Sequence, residues 1–127
     1  MEPEIEKVKF GSIRIAGQTY KHDVVISLDG KVRKRKKKLS KAIYGTSHII
    51  SLDEIKHVYK TGSAPDIGKP EVLIIGTGQF DRVRLSDQAR SYLDALDVQV
   101  VMAAVPKAIR DWNKAQGKVI GLFHITC

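Results

Sequence analysis

The chain has 127 residues, 43% of them hydrophobic, and a formal net charge of +8. That length suits a single domain, residues 1–127, able to bury roughly two thirds of the surface its unfolded chain exposes, without disulfide or metal staples. Its one cysteine, Cys127, excludes an intramolecular disulfide, no apolar stretch approaches a membrane span, and Met1-Glu2-Pro3-Glu4 is acidic where a signal peptide is basic and then apolar, so the expectation is a cytoplasmic protein with no membrane partner.

From Ile5 to Leu28 the apolar residues fall in short alternating runs, punctuated by Gly11 and Gly17-Gln18. This pattern predicts two or three antiparallel strands joined by tight turns, with Asp29-Gly30 as a further hairpin-type turn. The charge comes next, and it is local. Lys31, Arg33, Lys34, Arg35, Lys36, Lys37, Lys38 and Lys41 carry the whole excess with no acidic residue among them. The run shows no apolar period, so it reads as a solvated loop whose far end docks through Leu39, Ala42, Ile43 and Tyr44.

Ser51-Leu52-Asp53-Glu54 matches a capping box, in which the serine hydroxyl serves a free backbone N–H and the glutamate reaches back to the cap. A helix is expected from there, with Leu52, Ile55, Val58 and Tyr59 inward, Glu54, Lys56, His57 and Lys60 toward water, and Gly62 as its stop. Glu71-Val72-Leu73-Ile74-Ile75-Gly76-Thr77-Gly78-Gln79 follows. Its consecutive large aliphatics leave no polar face, as in a strand covered on both sides. Ser86-Asp87 offers the N-cap of a second helix with Ala89, Tyr92, Leu93 and Leu96 on one side. Val98 to Ala104 reads as a strand, Pro106 opens a third helix with Ala108, Ile109, Trp112 and Ala115 as its stripe, and Lys118 to Ile125 closes as another strand. Strand, helix, strand, helix, strand with right-handed crossovers predicts a small parallel sheet.

The two glycines after the apolar strand can take positive φ and admit close approach to the backbone, and ligands of open α/β sheets collect beyond the carboxyl ends of the strands. Gly76, Thr77, Gly78 and Gln79 are therefore the ligand-binding candidates, with Asn113 and His48 as polar groups at the pocket edge. A phosphate loop is a poor match: the Gly-Lys-Ser/Thr step is missing, Asp81 stands where a dinucleotide fingerprint has its third glycine, and seven residues separate Gly78 from Ser86. The basic run would neutralise phosphates, yet Tyr44 is the nearest aromatic and no nucleic-acid motif accompanies it, which makes nonspecific nucleic-acid contact the alternative reading. His124 and Cys127 alternate to opposite faces if their strand continues, and no paired spacing supplies metal ligands from His22, His48 or His57. No metal, no cofactor and no catalytic set is expected, and a satisfied His124 is favoured; an undetected enzyme with its chemistry at the Cys127 thiol or in the crevice is the remaining alternative.

Taken together, Gly11 with Ile13 and Ile15, Gly17, Tyr20 and Asp23, then Gly45-Thr46-Ser47-His48, Leu73-Ile74-Ile75-Gly76-Thr77-Gly78, Ala108 with Asn113, and Gly121-Leu122-Phe123-His124-Ile125-Thr126-Cys127 resemble a family. It is the small α/β domain of unknown function first seen in a methanogen hypothetical protein, with an adipogenesis-associated branch and a relationship to a mitochondrial complex I assembly factor. The ending resembles the adipogenesis-associated branch. The resemblance implies a three-layer α/β fold with a central mixed sheet, flanking helices and an N-terminal β-hairpin layer, and it implies no catalytic residues. The chain departs from the family pattern at Lys34 to Lys36, where relatives tend to carry tryptophan, and at Val105 and Trp112. A non-enzymatic protein of assembly or adaptor type, presenting a glycine-lined crevice to a small ligand or protein partner, is the expectation.

Overall fold

A computed structural model describes residues 2–127. Three short strands open it, β1 (Ile5–Lys9), β2 (Ser12–Ile15) and β3 (Gln18–Tyr20), paired antiparallel in that order. β4 (Val24–Ile26) and β5 (Val32–Lys34) form a hairpin whose turn contains Asp29 and Gly30, as the sequence predicts. The chain continues through α1 (Lys38–Tyr44), β6 (Ile49–Ile50), α2 (Leu52–Gly62), β7 (Val72–Thr77), β8 (Arg84–Leu85), α3 (Asp87–Ala95), β9 (Gln99–Ala103), α4 (Val105–Lys114) and β10 (Val119–His124).

The main sheet runs β5-β4-β10-β7-β9. β10, β7 and β9 are parallel, and β4 and β5 extend that set antiparallel, making the sheet mixed. Its faces explain the unbroken apolar run of β7. Leu73 and Ile75 point to one side, with Ile120 and Leu122 of β10, and pack against Ile55 and Val58 of α2 and Ala89 and Leu93 of α3. Ile74 points to the other side, with Val119 and Phe123, beneath Ala108 and Trp112 of α4 and Ile5, Ile13 and Ile15 of the three-stranded sheet. Alternation along a strand thus fills two cores at once. The result is the three-layer arrangement expected from the family resemblance: α2 and α3, the mixed sheet, then α4 with the hairpin layer.

Both serine caps form. The Ser51 hydroxyl accepts from the Glu54 amide at 3.2 Å and the Ser86 hydroxyl from the Ala89 amide at 3.1 Å. Two expectations are corrected. Glu54 neither faces water nor reaches back to its cap; it is fully buried and bonded to Arg35 and Ser40. The basic run is not a loop: Arg33 and Lys34 lie on β5, the edge strand, and Lys38 and Lys41 lie on α1. Periodicity could not show this, because a short edge strand and a two-turn helix lying on the surface need few apolar contacts.

Candidate functional site

The carboxyl ends of β7 and β10 lie side by side, with His124 paired in register with Thr77. Around them the chain places its densest polar cluster. The Arg35 guanidinium, 3% exposed, is its centre. Nε donates to Glu54 Oε2 at 2.6 Å, Nη1 to Asp23 Oδ2 at 3.0 Å, and Nη2 to Glu54 Oε1 at 3.1 Å and to the Ser47 carbonyl at 2.8 Å. A planar fork of donors matches this set of acceptors; a lysine in the same place would leave several of them unserved. Ser40 completes the group, donating from its hydroxyl to Glu54 and accepting from the Ser51 amide at 2.9 Å.

Asp23 connects this cluster to β10. Its Oδ1 accepts from the Ile125 amide at 2.9 Å, and its Oδ2 lies 2.7 Å from His124 Nδ1. A carboxylate that close makes Nδ1 the protonated nitrogen, so the 3.2 Å approach of Arg35 Nη1 to the same atom is a packing contact between two donors. His124 Nε2 then pairs with the Thr126 hydroxyl at 3.1 Å. Burial pushes the Asp23 carboxyl up, but the His124 hydrogen bond, the Ile125 amide and the charges of His124 and Arg35 outweigh it and hold the group at about 2. Burial likewise opposes the charge on Arg35, and Glu54 and Asp23 more than restore it, raising its pKa. His48 stands edge-on to His124, ring centroids 5.4 Å apart, and burial with the nearby charges of His124, Arg35 and Arg82 lowers its pKa. The Cys127 thiol sits 3.9 Å from His48 Nε2.

The glycine turn lies beside this cluster, but the space above it is taken. Gly76 is an interior residue of β7 with ordinary φ, and a Cβ there would come 2.8 Å from the Phe123 ring. Gly78 is left-handed, φ +96°, and a Cβ would stand 2.5 Å from the Cys127 carbonyl oxygen. The Gln79 amide donates to the Thr126 carbonyl at 2.7 Å, the Val105 amide to the Gly78 carbonyl at 3.1 Å, and the Thr77 hydroxyl to Asp81. The close approach that the glycines permit is made by residues 126 and 127 of the chain itself. Gln79 and His48 remain half-buried at the rim.

Asn113 belongs elsewhere. Val105, at the start of α4, meets the Gly78 turn, and Asn113 lies two turns further on, about 12 Å along the helix. There its Oδ1 accepts from the Ile5 amide at 3.0 Å and its Nδ2 donates to the Ile5 carbonyl at 2.9 Å, clipping β1 to the helix. Of the basic run, Lys31, Arg33, Lys34, Lys36, Lys37, Lys38 and Lys41 are exposed and Arg35 is buried. Sequence reasoning took Arg35 only as one of the basic patch and did not single out Glu54 or Asp23 as its partners; nothing in the run separates Arg35, which is buried, from Arg33, which is exposed. Among the described residues no three His, Cys, Asp or Glu side chains form a metal-holding group, and no helix is long and apolar enough to cross a membrane.

This mixed-sheet architecture with its buried Arg35–Asp23–His124 cluster defines a small α/β domain, and comparison assigns it. Residues 5–124 match the family described as "Protein of unknown function (DUF498/DUF598)", and the chain belongs to that family. It is similar to a conserved hypothetical protein of Pyrococcus horikoshii OT3, with 27% identity, TM-score 0.86, and coverage of 98% of this chain and 99% of that one. It is similar also to the protein MT938, with 26% identity, TM-score 0.79, and coverage of 99% and 100%. A Bordetella pertussis Mth938-like domain shares the fold at 16% identity and TM-score 0.70, over 97% of this chain and 85% of that one. No curated protein matches.

Proposed function

We propose that this chain is a non-enzymatic binding domain of assembly or adaptor type, and that its contact face lies at the carboxyl end of the central sheet. The observation that carries this reading is a pair of exposed phenylalanines. Phe10, at the turn between β1 and β2, and Phe80, just beyond the glycine turn, are 62% and 66% exposed, with ring centroids 6.5 Å apart. Their loops are fastened to either side of the same segment, the Gly11 amide to the Ile125 carbonyl at 2.9 Å and the Gln79 amide to the Thr126 carbonyl. Two large rings held in water on hydrogen-bonded loops are preorganised; covering them contributes about 2 kcal/mol each.

Gln79 and His48 provide polar groups at the rim, and exposed Lys9 and Arg82 stand one and two residues along the chain from Phe10 and Phe80. The partner this chemistry fits is a protein segment that inserts an apolar side chain between the rings and carries carboxylates beside it. A display library of short acidic peptides tests the reading. Selected peptides are expected to bind the wild type and to lose about a hundredfold or more in affinity toward Phe10→Ser/Phe80→Ser, by calorimetry. Ile67→Ser, another exposed apolar residue, is expected to bind as the wild type does. Equal affinity of all three proteins, or a concentration-dependent self-association that accounts for the face, overturns the proposal.

A further inference from the structure

The partner-binding reading leaves the chain's whole excess charge unused, and the structure organises that charge in a way that solvation does not explain. A hollow of about 300 Å³ is lined by Lys34, Arg35, Lys36, Lys37 and Lys38. A second, of about 250 Å³, is lined by Val25, Arg33, Lys34, Lys36, His57 and Thr61. Lys34 and Lys36 belong to both, so the two hollows adjoin at these residues.

Three features set this place apart from an ordinary lysine surface. The ion pairs formed by the described residues leave Arg33, Lys34, Lys36, Lys37 and Lys38 without a carboxylate, while Arg35 between them takes two. Cations on an edge strand discourage edge-to-edge association, which accounts for Arg33 and Lys34 on β5, but Lys36, Lys37 and Lys38 lie past the end of that strand. Those three instead crowd the start of α1, where Lys37 is the cap residue with no side-chain capping bond and the first turn holds no acid. Serine, aspartate or glutamate would serve the helix there, and positive charge opposes its dipole. Real proteins break such local rules chiefly at functional or strained sites.

We propose that the two adjoining hollows bind a small condensed phosphate: a ligand with at least two linked phosphate groups, one seated in each hollow, with Lys34 and Lys36 bridging them. Arg35 takes no part as a charge, being neutralised from below by Asp23 and Glu54; its role is to fix the backbone on which the lysines stand. Lysine ammonium groups suit this ligand, since each can turn its three donors toward whichever phosphate oxygen is near. A phosphate chain of this kind occurs free or as the tail of a nucleoside polyphosphate, and both present the same chemistry to the site.

Calorimetry with inorganic tripolyphosphate at low ionic strength tests the proposal, with ATP in chelator, orthophosphate and single-stranded oligouridylate as further arms. Tripolyphosphate is expected to bind with one-to-one stoichiometry, at least about tenfold more tightly than orthophosphate, and more weakly as salt is added. Lys34→Gln/Lys36→Gln is expected to weaken binding by about tenfold or more, and Lys107→Gln/Lys114→Gln, on α4, to leave it unchanged. Tighter binding of ATP than of tripolyphosphate identifies the nucleotide as the source, and equal binding the free chain. Absence of heat with the wild type, equal weakening by the two lysine pairs, or oligouridylate binding that tripolyphosphate does not displace overturns it. All four lysines are exposed, and unchanged melting of the variants confirms that binding and folding are read separately.

Discussion

Replacing Arg35 by methionine removes the guanidinium and keeps most of the side-chain volume, which makes it the sharpest probe of the buried cluster. The substitution strands two carboxylates: Glu54, fully buried, loses bonds of 2.6 and 3.1 Å, and Asp23, 7% exposed, loses one of 3.0 Å. The Ser47 carbonyl loses its 2.8 Å donor as well. Deleting one side of a buried ion pair costs about 3–5 kcal/mol, because the partner's desolvation is no longer offset. With two partners stranded, the upper half of that range applies, about 4 kcal/mol. In a domain of this size that corresponds to a melting-temperature loss of about 15 °C. Thermal unfolding followed by circular dichroism at neutral pH measures it. Lys36→Met, one position along and exposed, is expected to stay within about 0.5 kcal/mol of wild type. A loss below about 1 kcal/mol for Arg35→Met, or equal losses for the two variants, refutes the view that Arg35 organises the cluster.

Asp23 gives the protein an acid-sensitive term. Its folded pKa of about 2 lies below the ordinary 3.8 of an aspartate, so its contribution is fully present above about pH 4 and disappears as the pH falls toward 2. Across that window the wild type is expected to lose about 2 kcal/mol that Asp23→Asn does not, measured by urea unfolding at successive pH values. Gly78→Val forces a β-branched residue to φ +96° and drives its Cβ into the Cys127 carbonyl. It is expected to cost about 3 kcal/mol or more in a thermal melt and to speed hydrogen exchange of the Gln79 amide, whose acceptor is Thr126. Unchanged exchange at Gln79 would show that residues 126 and 127 do not pack over the turn.

What could be read from the sequence was whatever depends on neighbours in the chain. The four aliphatics of β7 announce a strand covered on both faces, and Ser51 and Ser86 announce helix starts, because each signal is local. The cluster at Arg35 depends on positions 12, 19 and 89 residues away, and no periodicity connects them. Glu54 shows how a true local pattern misleads: it occupies the capping-box position, the Ser51 half of the box forms, and the carboxylate is drawn away by a stronger partner. The glycine turn was legible as a place of close backbone approach, but which atoms approach it is a property of the folded chain. Asn113 was legible as a helical amide beside an apolar stripe; its partner Ile5, 108 residues away, was not.

The strand order of the main sheet has a consequence for how the protein is made. β10 lies between β4 and β7, so the hairpin of β4 and β5 and the parallel pair of β7 and β9 touch the same strand and do not pair with each other. Until residues 119–124 have left the ribosome these two pieces have no shared ladder, and the apolar faces that β10 will join stay open to water. The chain therefore holds two unfinished half-sheets until one six-residue segment arrives and welds them into a single body.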